Sequence, residues 1–210
     1  MEAKKRVLII VHGAWPLRFR NKLLEKFRSK ILGFLTSDRG ITREDYHSFE
    51  KTCRKSYDKI EFLRWDGWIF RNPDLMRAET RLVNLLNRNK NNVLDIIAFS
   101  LGGIIVQDSL LSSKAIKINR VIFVGAIHNK DIILKNVKTI FNVYSKTDRM
   151  FRFANDLYVG LGNITLIGKN VKNICLDNVS RNDLCRNKLI FFNRKKRIYL
   201  YNLYNRLLSN

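Results

Sequence analysis

The sequence contains little cysteine, few acidic residues and no long hydrophobic run. Its three cysteines, Cys53, Cys175 and Cys185, form no Cys-x-x-Cys pair. Because disulfide frameworks and zinc sites need paired or clustered cysteines, we expect reduced structural thiols and no bound metal. The sequence also has no glycine-rich phosphate-binding loop, so we expect no cofactor.

Long apolar segments are missing as well. No apolar run approaches the roughly 18–20 residues that span a bilayer, which excludes a transmembrane helix. The basic N-terminus is followed by a short apolar run at 7–11 and then by a His-Gly pair. That run is too short for the hydrophobic region of a secretory signal peptide. The expected location is therefore cytoplasmic.

Acidic residues are outnumbered by basic ones. The 210 residues include 40 Lys and Arg against 18 Asp and Glu, a formal net charge of +22. Such an excess attracts anionic lipid or nucleic acid. The basic residues are spread along the chain, and the densest run holds Arg194, Lys195, Lys196 and Arg197. An apolar, aromatic segment follows it, a pattern that suits contact with an anionic membrane surface.

The alternative for this run is a terminal helix that packs on the sheet and leaves a basic edge in solvent, and we favour packing. Nucleic acid is not an expected partner. The sequence leaves the oligomeric state open.

The hydrophobic pattern predicts a single α/β domain over residues 1–210. Apolar strand-like runs alternate with helix-like segments, which is typical of a parallel sheet with helices on both faces. We predict a three-layer α/β/α sandwich with a mostly parallel sheet of about six strands. The predicted strands are 7–11, 60–65, 93–98, 120–124, 139–144 and 174–179, and the predicted helices are 17–35, 73–86, 101–111 and 150–159. Residues 37–57 are either an insertion over the site or a surface helix, and 182–208 form a C-terminal helical segment.

Residues 95–103, Asp-Ile-Ile-Ala-Phe-Ser-Leu-Gly-Gly, carry the clearest chemical motif. A short apolar strand ends in Ser100, small residues stand two positions away at Ala98 and Gly102, and a helix follows. A serine nucleophile on a sharp strand-to-helix turn needs this arrangement, because only small side chains fit beside the turn. We predict that Ser100 is exposed in a strained backbone conformation. The alternative is a serine in an ordinary turn.

The His12-Gly13 turn forms a second motif. It follows the apolar, β-branched run 7–11, as a buried parallel strand requires. A turn at the tip of such a strand can direct backbone N–H groups at an oxyanion.

With these two motifs the chain resembles the α/β-hydrolases of the lipase and esterase type. Residues 62–67 resemble a strand end of small lipase-like members, and 141–148 resemble the strand end that delivers the acid of the catalytic triad. The resemblance covers most of the chain and implies a minimal α/β-hydrolase fold. It also implies a serine hydrolase for a carboxylic ester, either a small molecule or a lipid.

The resemblance assigns roles to further residues. The backbone N–H groups of Ala14 or Trp15 and of Leu101 would form the oxyanion hole, with His12 and Gly13 beside the substrate. Asp148 would be the triad acid. Its alternative role is an N-cap for the helix at 150–159.

The triad lacks its expected base. In this family the histidine follows the acid, but the chain contains only His12, His47 and His128. The resemblance places Arg181 near the expected position, and arginine cannot act as a base near neutral pH.

Of the histidines present, His12 is expected to brace the oxyanion turn, and His47 is expected at the surface. His128 follows a predicted strand and remains as the candidate base. We therefore expect a weak hydrolase. The alternatives are an inactive hydrolase-like binding protein and a basic protein that binds a membrane or nucleic-acid surface.

Overall fold

The computed structural model describes residues 3–13, 53–63, 65, 72–128, 134–145, 165–176, 203, 206 and 207. Within these residues lie six strands and two long helices. The strands are β1 (Arg6–Val11), β2 (Lys59–Leu63), β3 (Val93–Phe99), β4 (Ile118–Val124), β5 (Val137–Tyr144) and β6 (Val171–Cys175), and the helices are α1 (Asn72–Arg88) and α2 (Gly102–Ser112). Neither helix is long and apolar enough to cross a bilayer.

The strands form one sheet in the order β2-β1-β3-β4-β5-β6. Every pair in the described part of the chain is parallel. The predicted α/β class and the six-stranded sheet are confirmed. Since all strands run the same way, their carboxyl ends share one edge of the sheet and their amino ends share the other.

The last strand lies earlier than the sequence indicated. The apolar residues after Ile174 suggested a strand at 174–179, whereas β6 begins at Val171, which pairs with Ile140. An edge strand carries exposed polar side chains, here Lys172 and Asn173, and these concealed its start. The predicted helices at 17–35 and 150–159 lie outside the described residues, as do most of 37–57 and 182–208.

Two apolar cores cover the two faces of the sheet. On β3, Ile96 and Ala98 join the core under α1 and α2, while Ile97 and Phe99 join the opposite core. Residues from distant parts of the chain, among them Leu203 and Leu207, complete that second core. Both faces of β3 are therefore buried, as the continuous apolar sequence of a central parallel strand requires.

One charged side chain is completely buried in the sheet. The Asp95 carboxylate accepts hydrogen bonds from the Tyr57 hydroxyl at 2.7 Å, the Asn119 amide at 2.7 Å and the Arg6 guanidinium at 3.4 Å. Arg120 Nε lies 4.0 Å away. Burial, followed by the charge of the nearby Asp95 carboxylate, raises the pKa of Tyr57, which keeps its hydroxyl a donor. This cluster ties β1, β3, β4 and the turn before β2 together.

The same cluster reaches the C-terminal part of the chain. Arg120 donates from Nη1 to the Leu207 carbonyl oxygen at 3.0 Å. Arg6 lies over the Tyr57 ring at 4.8 Å, a cation–π geometry. Asp95 therefore organises the amino ends of the strands, at the end of β3 remote from Ser100.

Candidate functional site

Ser100 sits at the carboxyl end of β3 with a left-handed backbone. Its φ is 52°, the only positive φ of a non-glycine residue in the described part of the chain. Such a conformation is strained for a side chain with a Cβ and is frequent at functional sites. The strained turn predicted from the sequence is present, whereas Ser100 is half-buried and not exposed as predicted.

Backbone hydrogen bonds hold this turn against the next strand. The Ser100 N–H donates to the Val124 carbonyl at 3.3 Å, and the Ser100 carbonyl accepts from Ile127 at 2.9 Å and Gly103 at 3.0 Å. The end of β4 therefore fixes the orientation of Ser100. Such fixed positions are what a nucleophile needs, because catalysis depends on preorganised geometry.

The glycines after Ser100 allow the helix to start close to the sheet. A Cβ on Gly102 would lie 2.7 Å from the Val11 carbonyl oxygen. A Cβ on Gly103 would overlap the Ile127 carbonyl oxygen. Neither position has room for a side chain, so the Gly-Gly pair is required by the close approach of α2 to the ends of β1 and β4.

The turn after β1 lies directly beside Ser100. A Cβ on Gly13 would stand 2.5 Å from the Ser100 Cβ and 3.1 Å from its Oγ. The fold therefore brings together the two motifs, although 86 residues separate them along the chain. Leu101, the residue after the serine, is the N-cap of α2, so its N–H is at a helix start.

His12 braces this turn. Its ring is buried and stacks with the rings of Phe62 and Trp65, at centroid distances of 5.3 and 5.8 Å. The Trp65 backbone N–H donates to Nε2 at 3.3 Å, so Nε2 is unprotonated and Nδ1 carries the hydrogen that is donated to the Gly13 carbonyl. With both nitrogens engaged, His12 is a support of the turn rather than a proton acceptor for Ser100.

His128 follows β4 and is fully buried. Asn142 donates its amide to Asn173 at 2.9 Å, so its oxygen faces His128 and accepts from Nε2–H at 3.2 Å. The ring packs against Phe123 at 5.7 Å. Nδ1 has no hydrogen-bond partner within the described residues. Burial lowers the pKa of His128 to about 4, which makes it a weak base at neutral pH.

This burial predicts that acid destabilises the protein through His128. Below a pH of about 6.5 the unfolded chain binds a proton at this position, whereas the folded protein resists it until pH approaches 4. Stability should therefore fall as pH drops through this window, by about 2 kcal/mol from this one group between pH 7 and pH 5. Urea titrations at both pH values measure the loss, and His128→Gln should reduce it by about the same amount. An unchanged loss in that variant would contradict the prediction.

The sequence did not reveal the polar ladder behind His128. Asn142 and Asn173 are register partners on β5 and β6, and Asn173 bonds both the N–H and the carbonyl of Leu166. The available signal was an asparagine within the otherwise apolar end of β5. The role of Asn142 is ambiguous from the sequence alone, because its hydrogen-bond partner Asn173 lies 31 residues away along the chain.

Several predicted site residues lie outside the described residues. These are Ala14, Trp15, His47, Asp148 and Arg181, together with the basic run 194–197. Their roles remain predictions. The other five predicted site residues are described and lie at the carboxyl edge of the sheet. They are His12, Gly13, Ser100, Leu101 and His128.

The sequence matches no protein-family model and no curated protein. Solved structures do resemble the fold. Est1E from Butyrivibrio proteoclasticus, solved with ferulic acid bound, aligns over 98% of this chain and 89% of its own with a TM-score of 0.56 at 12% identity. A protein of the α/β-hydrolase superfamily from Xanthomonas campestris pv. campestris aligns over 97% and 99%, with a TM-score of 0.53 at 10% identity. A hydrolase structure from Agrobacterium vitis S4 gives a TM-score of 0.55 at 10% identity over 98% and 88%. The chain has the α/β-hydrolase fold.

Proposed function

We propose that this chain is a serine hydrolase for a carboxylic ester, with Ser100 as its nucleophile. The observation that carries the proposal is the left-handed Ser100 at the carboxyl end of β3, with Gly13 against its side chain. Open parallel sheets hold their ligands at this edge. Packing alone does not explain the strained backbone of Ser100 or its tight contact with Gly13, because an apolar core needs neither feature.

The arrangement suits attack on an ester carbonyl. When the Ser100 hydroxyl adds to the carbonyl carbon, negative charge develops on the carbonyl oxygen. The N–H of Leu101 lies at the start of α2, where the helix dipole favours an anion. The family resemblance supplies the second donor from Ala14 or Trp15. Asp148 would orient a base, as in the family.

The proposed turnover is low. His12 has both ring nitrogens engaged in the turn, and His128 is buried with a depressed pKa. No histidine follows Asp148 in the sequence. Loss of the base removes several orders of magnitude in rate, although the oxyanion hole and substrate binding retain some catalysis.

The same observation favours a second candidate function. A hydrolase fold that keeps the nucleophile turn, and whose described histidines are both buried away from a base's role, suits a binding protein without turnover. In that case the carboxyl edge beside Ser100 would hold an ester or a related carboxylic compound. The two candidates differ in the reactivity of the Ser100 hydroxyl.

A fluorophosphonate probe separates the two functions. It labels an activated serine and ignores an inert one, so we expect slow labelling of the intact protein, with the label on Ser100 by peptide mass. Ser100→Ala should abolish it. Ser112→Ala is the matched control, since Ser112 is an exposed serine at the other end of α2. No labelling of the wild type would favour the binding protein, and undiminished labelling of Ser100→Ala would show that the reactive serine is elsewhere.

A further inference from the structure

Every lysine in the described part of the chain lies at the amino edge of the sheet. Each stands in a turn that leads into a strand or within the first two residues of that strand, and each is exposed. Because the strands are parallel, their starts share one edge. The lysines are Lys4, Lys5, Lys55, Lys59, Lys90, Lys114, Lys117, Lys135, Lys138, Lys169 and Lys172.

Little negative charge balances this edge. Within the described residues, Glu61 pairs with Lys59 at 2.5 Å, and no other lysine forms an ion pair. Asp58 accepts the Arg6 backbone N–H at 2.7 Å, and Asp95 is buried. The described residues at the opposite edge, around Ser100, contain no lysine. Among the described residues, the lysines therefore lie on one side of the sheet.

Two asparagines hold part of this edge rigid. Asn136 donates its amide to the carbonyls of Ser113 and Ile116 at 3.2 and 3.1 Å, which joins the turn after α2 to the turn before β5. Asn170 donates its amide to the Val137 carbonyl at 2.7 Å, which joins the turn before β6 to the start of β5. We call these three turns, together with the last two residues of α2 and the first two residues of β5 and β6, the lysine corner. It carries Lys114, Lys117, Lys135, Lys138, Lys169 and Lys172.

The lysine corner also exposes apolar side chains. Ile167 is 65% exposed beside Lys169, and Leu111 is 37% exposed beside Lys114. Isolated exposed apolar residues are common. Here both stand among lysines, and a surface that combines lysines with protruding aliphatic side chains suits the interface of an anionic bilayer.

Nucleic acid fits this edge less well. Single-stranded nucleic acid is held by exposed aromatic side chains on which bases stack. No aromatic residue of the described part of the chain is exposed. The aliphatic side chains of Leu111 and Ile167 have no role in a contact with phosphates.

We propose that the lysine corner docks this protein on an anionic lipid bilayer. The ammonium groups lie at the headgroup phosphates and carboxylates, and Leu111 and Ile167 enter the headgroup layer. Ser100 then faces away from the membrane, because the seven residues of β3 separate the two edges by about 20 Å. This surface is distinct from the basic run at 194–197, and docking through it does not depend on the proposed hydrolase activity.

Co-sedimentation with vesicles tests how far the charge of the lysine corner contributes to membrane binding. The full chain should bind phosphatidylcholine vesicles that contain phosphatidylserine, bind pure phosphatidylcholine weakly, and release as salt rises. The double variant Lys114→Glu and Lys135→Glu should lower binding at least about 100-fold, at about 1 kcal/mol per unit of charge at the surface. The matched control, Arg77→Glu and Arg81→Glu on α1, changes the net charge equally and should retain most of the binding. Equal losses in the two variants would show that only net charge matters and would overturn the proposal.

The apolar contribution has its own control. Leu111→Ser with Ile167→Ser should lower vesicle binding about tenfold. Met76→Ser should leave it unchanged, since Met76 is also 65% exposed but stands near the carboxyl edge. Binding to duplex RNA without binding to anionic vesicles would refute docking through this edge.

Discussion

Replacing Asp95 with asparagine is expected to lower the free energy of unfolding by about 3–5 kcal/mol, the usual cost of removing one partner of a buried ion pair. The carboxylate is fully buried and accepts from Tyr57, Asn119 and Arg6. Its removal leaves the Arg120 guanidinium, whose side chain is only 12% exposed, beside a neutral amide. An uncompensated buried charge is far more costly than a lost surface contact.

Urea denaturation followed by circular dichroism measures this change. Asp58→Asn is the matched control, because Asp58 is an exposed carboxylate that also bonds Arg6. Its substitution should cost no more than about 0.5 kcal/mol, as for most surface positions. A loss at Asp95 no larger than that at Asp58 would show that the cluster contributes little to stability.

Replacing Arg181 with histidine is expected to raise turnover of short p-nitrophenyl esters at least about 100-fold, the lower end of general-base contributions. The wild-type protein should show weak activity or none. Arginine holds its proton at neutral pH, whereas a histidine after Asp148 could accept the proton of Ser100. The prediction rests on chain order, since Asp148 and Arg181 lie outside the described residues.

Two further variants make this gain specific. Arg186→His introduces a histidine five residues away and should not raise activity. Adding Ser100→Ala to Arg181→His should cancel the gain, because the new base acts through that hydroxyl. Robust wild-type activity abolished by His128→Ala would instead identify His128 as the base, and robust activity unaffected by Ser100→Ala would remove the site from this edge.

The elements around Ser100 could be predicted because their signals are local. The apolar run before the serine, its small neighbours and the following Gly-Gly pair lie within ten residues. They gave the strand, the strained turn and the start of α2 to within one residue of the observed bounds. The His12-Gly13 turn was predicted for the same reason. Its contact with Ser100 followed only from the resemblance, and the pairing of β1 with β3 is what produces it.

Asp95 and Asn142 could not be interpreted from sequence. Each is a polar residue in an apolar strand, and either could have marked a site, a bulge or a buried network. Their partners lie up to 89 residues away along the chain, and no local pattern encodes such a distance. His128 was a candidate base by sequence alone. Its burial against Phe123, which depresses its pKa, depends on how β4 packs.

The amino-acid sequence alone was enough to predict the α/β class, the order of the strands along the chain and the strained serine, because hydrophobic periodicity and small residues act over a few neighbours. It also determined the large positive charge, but not where that charge lies. The tertiary structure shows that the six described strands are all parallel. That arrangement places Ser100 and the His12-Gly13 turn at one edge and the described lysines at the other, since parallel strands bring all their ends of one kind together.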